Sequence, residues 1–206
     1  MIELAPGVTS EGKLMTREKI LDSAEALYIR KSFSETSMND IVVDSGLSKG
    51  AIYNHFKSKE ELIVAIYDRL MKRTIEQLQI MLEAESTASR KLELIGEVAF
   101  VATANRPRAF QTMNIEFLVA ASRMETLAPR IEARYKETVG ILRKTIQNGI
   151  NSGEFRGDID AGEIASILFA AADGMTFHFA TSGVIFDWHQ MNKILLDMVL
   201  NGIIRR

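Results

Sequence analysis

An all-α fold in two helical domains is what this 206-residue chain predicts. Three observations carry that expectation. Apolar residues recur at helical spacing along most of the sequence, with no alternating pattern of the kind a half-buried strand shows. Helix-start signals, a Ser or Asp with an acidic residue three positions on, punctuate it at Ser37, Ser58 and Asp160. The stretch Ser37 to Lys59, SMNDIVVDSGLSKGAIYNHFKSK, reads as two short helices joined by a tight turn. The expected organisation is a flexible arm over 1–14, a helix-turn-helix domain over 15–74 and a larger helical domain over 75–206.

The arm carries Pro6, Gly7 and Gly12 and no helical period. Lys13 is a candidate minor-groove contact there, beside the plainer reading of a solvated tail. From Thr16, the stripe Ile20, Leu21, Ala24, Leu27 and Tyr28 predicts an amphipathic first helix, with Arg17 and Lys19 near its start either beside phosphates or solvated. Ser37 then caps a second helix, with Asp40 completing a capping box and Ile41 and Val42 facing inward. Gly46 supplies the backbone freedom for the turn, Leu47 plugs the angle, and Ser48 caps a third helix, Lys49 to Phe56. That helix is too short to persist alone and must be held through Ile52 and Phe56. Its other faces carry Lys49, Gly50, Ala51, Tyr53, Asn54 and His55: a cation and hydroxyls suited to phosphates, an amide suited to base edges, and small residues that permit close approach. Ser58-Lys59-Glu60-Glu61 opens a fourth helix, whose N-terminus and Lys59 are placed to meet a phosphate.

That helix runs on through Leu62, Ile66, Leu70, Leu78 and Leu82, with no Gly or Pro before the polar stretch at Ser86, and is expected to be the mechanical link between the domains. Lys91 to Ala104 predicts a fifth helix. Pro107 and Pro129, suited to first helical turns, introduce two more, and Gly153 ends the second of these. Glu154 to Asp160 forms a long turn, and Asp160 with Glu163 starts a helix from Ile164 to about Ala180 that is apolar nearly all round. A helix without a polar face is buried on two sides, so this one and the last, Trp188 to Ile204, are expected to pair with their copies in a homodimer.

The first domain resembles the N-terminal module of the TetR family of transcriptional regulators over nearly all of Thr16 to Leu62. The likeness rests on the amphipathic first helix, the Thr36-Ser37 start, the Gly46-Leu47-Ser48 turn and the Tyr53-x-His55-Phe56-x-x-Lys59 run. It implies double-stranded operator DNA as partner, with Ser37, Ser48, Tyr53, His55 and Lys59 on the backbone. Lys49, Gly50, Ala51 and Asn54 fall at or near base-reading positions, and Asn39 is a further contact. Ser32 stands where the family usually has glycine, and Val42 where it usually has alanine. The turn GEFRGDID, with Ala172-Asp173-Gly174, resembles the C-terminal half of some members.

Composition sets limits on the chemistry. The chain has no cysteine, so disulfides, thiolate catalysis and cysteine-ligated zinc are excluded. Neither a signal peptide nor an apolar run of membrane-span length is read, which makes the cytoplasm the expected compartment and leaves no membrane partner. Net charge is −2. Between Thr16 and Arg73 ten Lys and Arg stand against nine Asp and Glu, so DNA affinity has to come from local placement and from doubling in a dimer. No motif of hydrolases, nucleotide binders or metalloproteases is present, no cofactor is implied, and an enzyme is not expected. His178, His189 and Asp187 lack ligand spacing and read as hydrogen-bonded or surface residues before they read as a metal site.

A small-molecule pocket is the remaining expectation. Phe110, Met113, Phe117, Tyr135, Phe169 and Phe177, with Phe100, occur on helices able to surround one space. Asn114, Glu116 and Asp173 are its polar candidates. Ordinary core packing is the plainer reading of any one aromatic; the carboxylates on otherwise apolar helices favour a pocket, because a buried carboxylate needs a partner such as Arg123, Arg134 or a ligand. With the TetR resemblance, this implies as the expected function a repressor that binds a pseudo-palindromic operator as a dimer and is released by a small-molecule effector. A helical sensor or scaffold without repressor activity is the alternative.

Overall fold

The computed structural model describes residues 10–104, 108–182 and 187–204, with the side chains of 99–104, 108, 188 and 189 outside the description. Among the described residues the ordered elements are α1 (Ser10–Arg30), α2 (Met38–Ser45), α3 (Lys49–His55), α4 (Lys59–Glu83), α5 (Ala88–Ala104), α6 (Arg108–Ala121), α7 (Ala128–Asn151), α8 (Ala161–Thr181) and α9 (Trp188–Ile203). No strand occurs among them beyond one isolated antiparallel bridge, Phe155 to Ile204. The chain divides into two compact units that meet between Asp68 and Arg69, inside α4.

In the first unit, α1 begins earlier than the sequence suggests. Residues 10–14, expected in the arm, are helical, and Thr16 Oγ1 donates back to the Gly12 carbonyl. Residues 1–9, with the rest of that expectation, lie outside the described residues. Ile20, Leu21, Ala24, Ile41, Ile52 and Leu62 are fully buried and form the unit's centre. Val42 is only half-buried, so Ile41 alone of the pair is a full core residue. Two polar ties fix α1 against α2: Ser23 Oγ donates to Asp44 at 2.6 Å and Arg30 donates to the other oxygen at 2.6 Å. The ordering of these short helices therefore rests on contacts between them, because seven or eight residues cannot hold a helix unaided.

The second unit packs α7 against α8, α6 against α8, and α5 against both α7 and α9. Its core includes Leu92, Ile95, Leu142, Ile146, Ala165, Leu168 and Leu196. The turn after α7 fastens this core. Phe155 is buried against Gly149, where a Cβ would collide with its ring and lie 2.8 Å from Ala88 Cβ. Glu154 accepts the Ala88 and Ser89 N–H groups at 2.8 Å each, so it caps α5 from 65 and 66 residues away. Arg156 N donates to the Ile203 carbonyl at the end of α9. Asp160 accepts from Gly162 and Glu163 N–H and starts α8 at Ala161, three residues before the expected Ile164. No return bond from Glu163 accompanies that cap among the described residues.

One exclusion made from the sequence is corrected. α8, at 21 residues, is long and apolar enough by length and composition to cross a membrane, although the chain was read as having no such run. Ser166, Asp173, Thr176 and His178 interrupt its apolar residues, which is why no continuous run stands out in the sequence.

Candidate nucleic-acid interface and effector site

The recognition geometry is set by two caps and one turn. Ser37 Oγ accepts the Asp40 N–H at 3.1 Å while Asp40 accepts the Ser37 N–H at 2.8 Å, a reciprocal capping box. The Ser37 backbone N–H, followed by its hydroxyl, holds the Asp40 carboxyl below the usual carboxylate range. Gly46 takes φ 65° and ends α2 in the left-handed region, where a side chain would be strained. Ser48 Oγ then accepts the Ala51 N–H and starts α3.

On α3, Ile52 and Phe56 are buried behind the helix, and Arg17 reaches over the Phe56 ring at 5.2 Å. Ser48, Lys49, Gly50 and Asn54 are exposed, as are Ser37 and Asn39 on the neighbouring helix start. Ala51, Tyr53 and His55 are half-buried. Lys49 Nζ lies 5.8 Å from the Tyr53 ring centroid, so cation and phenol share one outer face. A helix braced from behind with amide, ammonium and small residues outward has the chemistry to read base edges and grip phosphates.

Lys59 is placed differently from the expectation of a phosphate-facing ammonium. Its Nζ donates to the Phe33 carbonyl at 2.8 Å and the Thr36 carbonyl at 3.1 Å, which uses two of its three N–H groups inside the chain. Ser32 also gains a role here. Its hydroxyl accepts the Glu35 N–H and its carbonyl accepts from Thr36 Oγ1, so the turn after α1 closes with hydroxyl bonds and no non-glycine residue at positive φ among those described. At Ser58, the hydroxyl accepts the Glu61 N–H, but Glu61 returns its carboxylate to Lys57 N–H, one residue before the cap.

The effector candidates separate into three groups. Phe110, Met113 and Phe117 are buried on α6, with Gln111 buried beside them and Asn114 half-buried. Tyr135 and Phe169 meet edge to face, centroids 5.1 Å apart, with the Arg134 guanidinium 5.7 Å from the Phe169 centroid. Asp173, one turn beyond Phe169, is half-buried; burial pushes its carboxyl up and Arg134 pulls it partly back. Phe177 is not with them: it is 47% exposed and stacks edge-on with His178. The side chains of Phe100 and His189 lie outside the description. Arg134 was read from the sequence only as one possible partner of a carboxylate, and its placement on a ring had no sequence signal. An open groove of about 650 Å³ between α7 and α8 is lined by Val139, Arg143, Asp160, Gly162, Glu163, Ser166 and Ile167, none of them a sequence candidate for the pocket. Among the described residues no cluster of three His, Asp or Glu is arranged to hold a metal.

Comparison with known proteins assigns these two units. Residues 20–66 match the model for bacterial regulatory proteins of the tetR family, and residues 101–183 match that of the tetracyclin repressor-like C-terminal domain. The chain is 31% identical over 176 residues to the HTH-type transcriptional regulator YfiR of Bacillus subtilis, covering 84% of this chain and 83% of that one. It is 23% identical over 185 residues to the fatty acid metabolism regulator protein of the same organism, covering 90% and 94%. Among solved structures, a transcriptional regulator from Saccharomonospora viridis in complex with choline shares the fold with TM-score 0.83 at 23% identity, over 94% of this chain and all of that one. FadR from Bacillus subtilis in complex with stearoyl-CoA does so with TM-score 0.79 at 22% identity, over 90% and 98%. The chain belongs to the TetR family of helix-turn-helix transcriptional regulators.

Proposed function

We propose that this protein is a cytoplasmic repressor that binds a pseudo-palindromic operator as a homodimer and is released by a small-molecule effector. The observation that carries this reading is the outward face of α3, where Lys49, Gly50 and Asn54 are exposed over a buried Ile52. Residues 15–74 serve as the DNA-binding domain and 75–206 as the effector and dimerisation domain. Ser37, Ser48, Tyr53 and His55 contact the DNA backbone, with Asn39 beside them, while Lys49, Gly50, Ala51 and Asn54 face base edges. The two α3 helices of a dimer enter successive major grooves, about 34–36 Å apart or at a multiple of that spacing.

The dimer forms through α8 and α9. Ile167 (57% exposed) and Phe177 on α8, with Met191, Ile194 and Met198 (70%) on α9, are large apolar side chains open to solvent in the single chain. Apolar patches of this kind mark association surfaces. The effector binds among α6, α7 and α8 and releases DNA through unequal affinity for the DNA-competent and DNA-incompetent states.

Tyr53→Ala tests the assignment. Operator binding, followed by fluorescence anisotropy on a site selected from genomic fragments, falls by about tenfold, equivalent to about 1.4 kcal/mol, while sedimentation still reports a dimer. Unchanged operator affinity in that variant rejects the contact assignment. The near-balanced charge of residues 16–73 and the inward-facing Lys59 favour one other reading, a helical sensor without repressor activity. No specific complex at low salt selects that reading.

A further inference from the structure

The outward side of α3 has its centre at two residues. At about 100° per residue, Asn54 points about 160° away from both Ile52 and Phe56, the side chains buried behind the helix. Gly50, one turn earlier, shares that face. Lys49 with Tyr53 flanks it on one side and Ala51 with His55 on the other. Asn54 and Gly50 are exposed, whereas Ala51, Tyr53 and His55 are half-buried. Several polar side chains around this face are engaged within the chain. Ser48 Oγ accepts the Ala51 N–H, Lys49 Nζ lies by the Tyr53 ring, Lys57 Nζ donates to the Tyr53 carbonyl at 2.8 Å, and Lys59 is held by two carbonyls. The Asn54 amide enters into none of these bonds and stands open to a group outside the chain.

The chemistry of that amide selects among the bases. It sets a carbonyl acceptor beside an NH2 donor. In the major groove adenine alone presents an acceptor, N7, beside a donor, the N6 amino group; guanine presents acceptors at both places, and cytosine and thymine present one such group each. A bidentate contact from Asn54 is therefore satisfied by adenine and left half-made by any other base. Gly50 bears on the approach. A Cβ built there meets nothing of the chain within 4 Å, and its φ is not left-handed, so neither packing nor a turn calls for glycine. Its bare backbone, one turn from Asn54, lets a base-pair edge come closer to the helix than a methyl group would allow.

We infer that Asn54 is a specificity-determining residue that reads one adenine in the major groove of each operator half-site, with Gly50 as the bare position that lets it reach the base. The inference rests on the operator reading proposed above and adds to it the base that is read.

The test uses a duplex selected by the full chain from a random library, with each adenine of its half-sites replaced in turn by 7-deazaadenine. The analogue lacks the N7 acceptor and keeps the Watson–Crick pair. Fluorescence anisotropy is expected to find one adenine per half-site at which the analogue lowers the parent's affinity about tenfold, and at which it has no further effect on Asn54→Ala. Gly50→Ala is expected to keep or raise the urea midpoint of the first unit, since alanine is the better helix former, while operator affinity falls severalfold; a merely structural role moves both in the same direction. Circular dichroism confirms that both variants fold. No adenine sensitive to the analogue, equal sensitivity in Asn54→Ala, or a loss in Asn54→Ala that is the same for all duplexes, as a phosphate contact gives, overturns the assignment of Asn54. Unchanged affinity in Gly50→Ala overturns that of Gly50. Recovery of no specific duplex at low salt rejects the operator reading and this inference with it, whereas a selected duplex without an Asn54-dependent adenine rejects this inference alone.

Discussion

The two units of this protein are fastened by polar ties of different reach, 3 to 26 residues in the first and up to 66 in the second. In the first, short helices are tied by dedicated partners: Ser37 to Asp40, Ser23 and Arg30 to Asp44, Lys59 to two carbonyls. Its outer polar groups are aimed by a scaffold complete within one chain. The second unit leaves Ile167, Phe177, Ile194 and Met198 open. On the reading proposed above, the ties of the first unit hold its outward polar groups in place before DNA arrives, and the open apolar side chains of the second await a second copy of the chain.

The comparison breaks most visibly at the buried back of α3. Ile52→Ala removes a fully buried side chain from a helix of seven residues and is expected to cost about 2–5 kcal/mol, read as loss of the first unit's unfolding transition in urea while the second unit's remains. Should α3 be held by its caps alone, the variant unfolds like the parent. The next effect belongs to the open face of α8. Ile167→Arg is expected to weaken self-association by ten- to hundredfold, about 1.4–2.7 kcal/mol, in sedimentation equilibrium without lowering the secondary structure. A dimer of unchanged strength moves the interface away from α8.

Lys59 gives a smaller and more diagnostic effect. Because its ammonium is occupied by the Phe33 and Thr36 carbonyls, Lys59→Met is expected to lower operator affinity severalfold while the slope of log affinity against log salt is retained. A slope reduced by about 1 assigns the residue to a phosphate. The smallest effect is a pH dependence. Ser23 first and Arg30 second hold the Asp44 carboxyl below its ordinary value. A depressed folded-state value means stabilisation fully present above the unfolded value of about 3.9 and lost as pH falls through the folded one. The stability gap between the parent and Asp44→Ala is therefore level from pH 7 to about 5 and closes in stronger acid, as urea midpoints across that range will show.

What the sequence made legible follows the range of each interaction. The Ser37–Asp40 box, the Ser48 cap and the Gly46 turn are written within four residues and appear in the structure as read. The outward face of α3 was legible for the same reason, since burial of Ile52 and Phe56 fixes which residues face out. The early start of α1 was not, because Gly12 reads as a breaker although a helix interior tolerates it at a cost of about 1 kcal/mol. Lys59 meets carbonyls 23 and 26 residues away, and Glu154 caps a helix 65 and 66 residues away; no local pattern announces either. On α8 the apolar residues run nearly all round, so periodicity carries no direction. Phe169 and Phe177 looked equivalent there, and only packing separates the one that meets Tyr135 from the one that faces solvent.

Lys59 is the first residue of α4, and its ammonium is moored to the loop that delivers Ser37. Axial sliding of α4 by even an ångström would tug that loop directly, before any strain reached α3.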